Sequence, residues 1–348
     1  MSPYPRPPQI QPKTTSSGSL ALILSPPFEL TVGGLCYHVT GSDGLEVSER
    51  DPCYTSFLPP ANQQASAPRL DEVGLPVEIR LDEAPDLNGA TLLFDTGEAW
   101  SAHQHSTDLF LRMRGPGHGP ESYQWIAQLP KSLTSVVLHC SERLVEERQP
   151  NSIRLANPLR YPLDQLLTSL VLAPRDGLIV HGAGLVARHG DVTEDQAIVF
   201  AGVSGAGKTT FMGLCADEPE LAGLSDDRII LRHSTRHHAT SDILAFGTPW
   251  AGEGRVAVHR SAGLRAVCFL QHADRDRLRT LTSRDALERL LPVTSIPWFL
   301  PRLMEPALSF CERLVEEVPF FELGFRPESN GGDLVRRVLA APLKRNML

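Results

Sequence analysis

One short segment constrains the fold of this chain more than any other. Residues 202–209 read GVSGAGKT and match the pattern G-x-x-x-x-G-K-[ST], in which glycines let backbone N–H groups surround phosphate oxygens. A buried-strand pattern, QAIVFA, precedes the segment, and TTFMGLCA, which can begin a helix, follows it. This context disfavours the alternative, a chance glycine-rich turn. The segment therefore predicts an α/β nucleotide-binding domain.

The candidate nucleotide-binding residues belong to this loop and to the start of the helix. The Lys208 ammonium would reach the β- and γ-phosphates, and the Thr209 hydroxyl would join the Mg²⁺ shell. The expected cofactors are Mg²⁺ and ATP, with GTP as the alternative, although no N-K-x-D segment for guanine recognition follows. The complete set is Gly202, Val203, Ser204, Gly205, Ala206, Gly207, Lys208, Thr209 and Thr210.

Two adjacent carboxylates follow the loop in an unusual position. Asp226 and Asp227 precede the apolar run RIIL, whereas the Mg²⁺-binding Asp of most P-loop NTPases comes at the far end of a strand. Asp274 is nearer to that ordinary position, but it lies beyond the run AVCFL among charged residues. Paired carboxylates can divide the work, one approaching Mg²⁺ while the other accepts a proton from an attacking hydroxyl. The alternative is an Asp-Asp turn that caps a hairpin.

His181 is the third candidate for chemistry. The segment DGLIVHGAGLVA predicts a strand that ends in His181-Gly182, then a second strand leading towards the phosphate loop. A histidine followed by glycine at a strand bend can contact phosphate or tune a nearby acid. The alternative is a histidine whose hydrogen bonds are satisfied within a core.

The chain has 348 residues, a length that suits two domains. Residues 1–18 are polar and proline-rich, so we expect a flexible tail. Residues 19–155 read as short strands between turn-rich segments and predict a β-rich N-terminal domain. Residues 156–348 alternate strands with helices, as expected for the nucleotide-binding domain.

Composition argues against several classes of protein. The net charge of -8 gives no support for binding nucleic acid, and no window has the roughly 20 apolar residues that cross a membrane. The N-terminus lacks the layout of a signal peptide. Six scattered cysteines without a C-x-x-C pair predict reduced thiols and neither disulfides nor a zinc site. Cytoplasmic localisation is expected.

The order of the motifs resembles a known family. A His-Gly strand, a loop of form G-x-S-G-x-G-K-[ST] and an Asp-Asp pair before an apolar strand are similar to the HPr kinase/phosphorylase catalytic domain, itself similar to phosphoenolpyruvate carboxykinase. The matching residues are His181, residues 202–209, Asp226 and Asp227. Residues 247–255, GTPWAGEGR, also resemble a loop of the diverged branch found in peptide-modification cassettes. The resemblance covers roughly residues 160–327.

This resemblance implies an α/β fold with an HPr kinase-like C-terminal P-loop domain and phosphorylation of a serine on a peptide or small protein. Asp227 would be the general base, and His181 would contact phosphate. Asp226 would approach Mg²⁺, with Thr209 and Glu253 as further candidate ligands. A nucleotide-gated binding or accessory protein of such a cassette is the alternative function, and a plain NTPase is a third. A homo-oligomer is among the partners considered, and the sequence does not define the oligomeric state.

Overall fold

The computed structural model describes residues 21–58, 73–114, 123–187, 195–234 and 242–342. The tail expected at residues 1–18 lies outside them. Within these ranges the fold is mixed α/β with β-rich regions, as the sequence predicted at this coarse level. No helix in the described residues is both long enough and apolar enough to cross a bilayer.

The first half of the chain forms two sheets. A four-stranded sheet has the order β1-β4-β12-β11, and an eight-stranded sheet has the order β2-β3-β5-β10-β9-β8-β7-β6. The strands are β1 Leu22–Leu24, β2 Phe28–Val32, β3 Leu35–Gly41, β4 Leu45–Glu49, β5 Val73–Leu81, β6 Thr91–Asp95, β7 Trp100–His105, β8 Asp108–Met113, β9 Trp125–Leu129, β10 Val136–Cys140, β11 Val145–Gln149 and β12 Ser152–Ala156.

The second half alternates strands and helices around a third sheet. Its strands are β13 Gly177–Ala187, β14 Gln196–Ala201, β15 Leu221–Ser225, β16 Arg228–His233, β17 Ile243–Phe246, β18 Ser261–His272, β19 Arg277–Thr280 and β20 Phe320–Phe325. Its helices are α1 Leu163–Leu172, α2 Lys208–Leu214, α3 Ser283–Leu290, α4 Pro301–Glu317 and α5 Gly331–Ala340.

Five strands of the third sheet close into a ring. The sheet order runs β14-β13-β16-β17-β18-β20-β19, and β14 also pairs with β18 in parallel. Strand β16 pairs with the first half of β13, and β15 pairs with the second half. Strand β13 therefore lies between β14, which leads into the phosphate loop, and the two strands that flank the Asp-Asp pair.

The prediction of two strands around His181 is wrong, because β13 runs unbroken through it. Gly182 pairs with Ala201, and a Cβ atom at Gly182 would lie 3.0 Å from the carbonyl oxygen of Phe200. This glycine therefore permits close approach of β14 and makes no bend. The irregularity comes later, between Gly184 and Leu185, where the pairing with β15 changes register.

Both halves of the chain contribute to one hydrophobic core. Buried Tyr37 of β3, Leu167 of α1 and Ile230 of β16 belong to the same cluster. At the β2–β3 turn, Gly33 has φ +61°, and a Cβ atom there would overlap the Ile230 side chain. The halves thus pack closely, and the domain boundary expected between residues 155 and 156 stays a prediction.

Candidate functional site

The phosphate-loop motif adopts the expected strand–loop–helix arrangement, between β14 and α2. Gly205 and Gly207 have φ values of +83° and +90°, which residues with a side chain rarely adopt. A Cβ atom at Gly207 would also lie 3.0 Å from Phe325 and 3.1 Å from Nε2 of His272. Conformation and crowding therefore both require glycine at this position.

The loop exposes most of its candidate ligands. Exposed positions are Val203, Ser204, Gly205, Thr209 and Thr210, while Ala206 and Gly207 are half-buried and Gly202 is buried. Lys208 is also buried, and its ammonium donates to the carbonyl oxygens of Gly202 at 2.7 Å and Val203 at 3.0 Å. Burial, and then the charge of Arg228, lower the pKa of Lys208 against the opposing effect of Asp227.

His181 links Lys208 to one of the two aspartates. Its Nε2 atom lies 3.2 Å from Nζ of Lys208 and 3.0 Å from Oδ1 of Asp227. Arg228 holds the other carboxylate oxygen at 2.9 Å. Strand pairing produces this arrangement, because His181 on β13 is directly opposite Arg228 on β16, and the Gly182 N–H donates to the Asp227 carbonyl at 3.0 Å.

The imidazole of His181 can serve either neighbour, depending on its tautomer. A hydrogen on Nε2 would be donated to Asp227, whereas a bare Nε2 would accept from Lys208. Burial, and then the charges of Arg228 and Lys208, lower the pKa of His181 from 6.5. In the neutral ring, which this direction favours, moving one hydrogen between its nitrogens changes which neighbour it binds.

Asp226 has different surroundings from Asp227. Its buried carboxylate accepts from the Gly252 N–H at 2.8 Å, and a Cβ atom at Gly254 would lie 2.8 Å from its Oδ2. The GEG segment therefore wraps closely around Asp226 and leaves little room for a side chain at Gly254. Thr248 of the same loop donates to the Arg228 carbonyl at 2.7 Å, so residues 247–255 lie against the aspartate pair.

The structure thus connects some of the predicted site residues and leaves others apart. Lys208, His181 and Asp227 form one connected group. Glu253 is exposed and has no hydrogen-bond or ion-pair partner among the described residues. Within the same ranges, no side-chain hydrogen bond joins Thr209 or Glu253 to Asp226, and their roles as Mg²⁺ ligands stay predictions.

The sequence interpretation missed two polar residues, one that contacts this group and one that contacts the loop of residues 247–255. Arg228 follows the aspartates directly, so its position in DDR was the available signal. Asp164 is fully buried in α1 and accepts from the Tyr54 hydroxyl at 2.6 Å and the Trp250 indole at 2.7 Å. The sequence feature that could have pointed to Asp164 is a single acidic residue within the apolar segment PLDQLL. Through Asp164, the β-rich half contacts the GTPW segment of the loop.

A cleft of about 300 Å³ opens beside Arg228. Arg228 is the charged residue of its lining, and aromatic side chains from both halves form much of the wall. These are Phe94, Trp100, Tyr161, Trp298 and Phe299. Tyr161 and Trp298 are 62% and 53% exposed, so apolar surface remains accessible next to the partner of Asp227.

Comparison with models of known protein families found no match, and comparison with curated proteins found none either. The strongest geometric fact is the continuous contact from the phosphate-loop lysine through His181 to Asp227. This contact joins the phosphate-loop motif, which is recognisable from a short stretch of sequence, to a carboxylate that strand pairing brings beside it.

Proposed function

We propose that this protein is an ATP- and Mg²⁺-dependent kinase that phosphorylates a serine hydroxyl on a peptide or small protein. One observation carries the proposal: Lys208 and Asp227 contact the same imidazole nitrogen of His181. Phosphoryl transfer needs a cation at the terminal phosphate and a proton acceptor at the attacking hydroxyl, held close enough for in-line attack. The resemblance to HPr kinase/phosphorylase supports the same assignment.

In this mechanism Asp227 accepts the proton of the serine hydroxyl. Its side chain is 34% exposed, which leaves room for an acceptor, and Arg228 orients the carboxylate from the other side. Lys208 exchanges its loop carbonyl partners for phosphate oxygens when nucleotide binds. Asp226, Thr209 and Glu253 are the residues that would hold Mg²⁺, which neutralises charge on the phosphates. GTP remains the alternative nucleotide.

The acceptor in this proposal lies in the aromatic cleft beside Arg228. A volume of about 300 Å³ accommodates a large apolar side chain, and aromatic walls bind such groups favourably. We therefore expect acceptor peptides with an apolar residue near the serine. Because residues from both halves of the chain line the cleft, the β-rich region would help to select the acceptor.

The direct test is transfer from γ-labelled ATP to serine peptides carrying phenylalanine or alanine beside the serine. We expect one phosphate on the serine of the phenylalanine peptide, located by mass spectrometry, and less on its alanine counterpart. Transfer must require Mg²⁺. Equal labelling of both peptides would contradict the cleft assignment while leaving the kinase proposal intact.

A specific observation also favours the alternative, a nucleotide-gated binding protein. The Lys208 ammonium already contacts Gly202, Val203 and His181. A phosphate that binds Lys208 must displace these contacts, and the contact with His181 continues to Asp227 and, through Arg228, to the cleft. In that case nucleotide would change affinity for a cleft-binding partner without transfer. Tight ATP binding with no phosphorylation of any serine peptide or protein tested would favour this function over the kinase.

A further inference from the structure

Three side chains of different chemistry meet on the β2–β3 hairpin, away from the phosphate loop. Glu29 of β2 is directly opposite His38 of β3, and Cys36 lies two residues before His38 on the same face. Oε1 of Glu29 is 2.9 Å from Nδ1 of His38, and Sγ of Cys36 is 3.8 Å from that nitrogen. All three ligand atoms lie within 4.8 Å of one another.

These separations are close to those of a metal coordination shell. In a tetrahedral Zn²⁺ site, with Zn–S about 2.3 Å and Zn–N or Zn–O about 2.0–2.1 Å, neighbouring ligand atoms are about 3.3–3.6 Å apart. The observed distances of 2.9 and 3.8 Å lie on either side of that range. Small side-chain rotations would therefore bring the ligands around one ion.

A simple ion pair accounts for only part of this cluster. Glu29 and His38 could form one at the surface, where His38 is 44% exposed. Such a pair leaves out the sulfur of buried Cys36, which strand geometry places 3.8 Å from the same imidazole nitrogen. A shared ion would use the thiol, the imidazole and the carboxylate together.

We propose that Glu29, Cys36 and His38 bind one Zn²⁺ ion. A thiolate and an imidazole favour Zn²⁺ over Mg²⁺ and Ca²⁺, which prefer oxygen ligands. As the sulfur–metal bond forms, the Cys36 thiol loses its proton to solvent, and His38 coordinates through an unprotonated Nδ1. Three protein ligands leave the fourth tetrahedral position for water. The cysteine spacing predicted no zinc site, because the ligands converge only through strand pairing.

The ion would cross-link a hairpin that supports the candidate kinase site. Strand β2 lies at the end of its sheet, paired with β3. The hairpin turn packs Gly33 against Ile230 of β16, and Arg232 of β16 donates to the Gly34 carbonyl at 3.2 Å. Strand β16 begins directly after Asp227. Zn²⁺ would therefore stabilise the packing that positions this strand.

The test uses Co²⁺ as a spectroscopic probe of the metal-free, untagged full chain. We expect saturation at one equivalent, a thiolate-to-cobalt charge-transfer band in the near ultraviolet, and loss of this band when Zn²⁺ displaces Co²⁺. Cys36→Ser should abolish the band and weaken Zn²⁺ binding by about tenfold or more. Cys53→Ser, at another buried thiol in the same half, is the matched control and should leave both unchanged.

His38→Asn gives a second, independent readout because its side chain is substantially exposed and its loss spares the buried thiol. Zn²⁺ should raise the melting temperature of the wild type and leave that of His38→Asn unchanged, with His103→Asn behaving as wild type. Absence of a stoichiometric cobalt band would overturn the proposal. Undiminished Zn²⁺ affinity in His38→Asn would do so as well, even if Cys36→Ser failed to fold.

Discussion

Asp164 and Asp227 are two carboxylates in one half of the chain with opposite surroundings. Asp164 is completely buried, and its oxygens accept hydrogen bonds from the Tyr54 hydroxyl, the Trp250 indole and the Gln165 N–H. Asp227 is about one-third exposed and contacts the side chains of His181 and Arg228. Neutral hydrogen-bond donors surround Asp164, whereas a guanidinium cation and a titratable imidazole ring contact Asp227.

This difference separates a structural acid from a candidate reactive one. Burial raises the pKa of Asp164 from 3.8 to about 6, although its hydrogen bonds oppose that rise. A strongly shifted pKa often marks a functional site, yet no substrate can reach this carboxylate. Asp164 connects the β-rich half, α1 and the GTPW segment. Access to solvent and to Lys208, through His181, makes Asp227 the better candidate for chemistry.

The largest expected effect is loss of phosphoryl transfer in Asp227→Asn. The amide keeps the size of the side chain but cannot accept the serine proton, so transfer should fall by roughly 10²–10⁴. ATP affinity, measured by calorimetry, should remain near that of the wild type. Glu288→Gln, on the exposed face of α3, is the matched control. Transfer at the wild-type rate in Asp227→Asn would contradict the role of general base and favour the alternative, in which the aspartate pair only forms a turn.

Asp164→Ala should mainly reduce stability. It leaves the buried Tyr54 hydroxyl and Trp250 indole without their acceptor, at about 1–3 kcal/mol for each group. The free energy of unfolding, measured with denaturant, should therefore fall by about 2–6 kcal/mol. Glu288→Ala, which removes an exposed pair with Arg284, should change it by less than about 1 kcal/mol. Equal losses in both variants would erase the distinction between buried and exposed carboxylates.

The buried carboxyl group of Asp164 should also make the stability of the protein depend on pH. Between about pH 4 and 6 the unfolded chain has released the Asp164 proton while the folded chain still holds it, so stability falls as pH rises. A pKa change from 3.8 to about 6 corresponds to about 3 kcal/mol. Relative to Asp164→Asn, the wild type should therefore lose stability from pH 4.5 to 7. Parallel unfolding profiles for the two proteins would contradict the buried-acid assignment.

Lys208→Ala tests the nucleotide end of the contact that reaches Asp227. In the proposed function this ammonium contacts the β- and γ-phosphates, so its removal should weaken ATP-Mg²⁺ binding by roughly tenfold or more, about 1.4 kcal/mol. The measurement is calorimetric titration, with exposed Lys131→Ala as the charge-matched control. Unchanged affinity would mean that the phosphate-loop assignment is wrong.

The smallest expected effect concerns the cleft beside Arg228. Trp298→Ala removes an aromatic wall and should raise KM for the phenylalanine-containing peptide roughly fivefold, about 1 kcal/mol. ATP affinity and kcat should remain unchanged, because the side chain contacts neither nucleotide nor Asp227 in the proposed mechanism. Leu92→Ala, an exposed apolar residue outside the cleft lining, should leave KM unaltered. A comparable rise of KM in both variants would contradict the assignment of the cleft as the acceptor site.

Local sequence signals predicted much of the fold. Alternating apolar residues identified strands such as FELTV and TSVVLHC, which are β2 and β10. Helical spacing in PLDQLLTSLVLA identified α1. The phosphate loop was equally accessible, because a strand, a glycine loop and a helix are adjacent in the chain. Each of these predictions depends on residues within a few positions of one another.

The remaining features depend on contacts between segments far apart in the sequence. Arg228 approaches His181 through the register of β13 and β16, which neither strand reveals alone. Glycine within DGLIVHGAGLVA suggested a break, but close packing of β14 against Gly182 keeps β13 continuous. Burial of Asp164 likewise requires partners from three separate segments. Pairing and burial are tertiary properties, so sequence periodicity could not predict them.

The ring of strands has a consequence for the order in which the chain folds during synthesis. Strand β14 pairs with β13, which precedes it, and with β18, which begins only at Ser261. Until that segment leaves the ribosome, one edge of β14 keeps unpaired N–H and C=O groups. If the proposed function holds, nucleotide would therefore stabilise the nascent chain only late, after the strand that leads into the phosphate loop has gained its second neighbour.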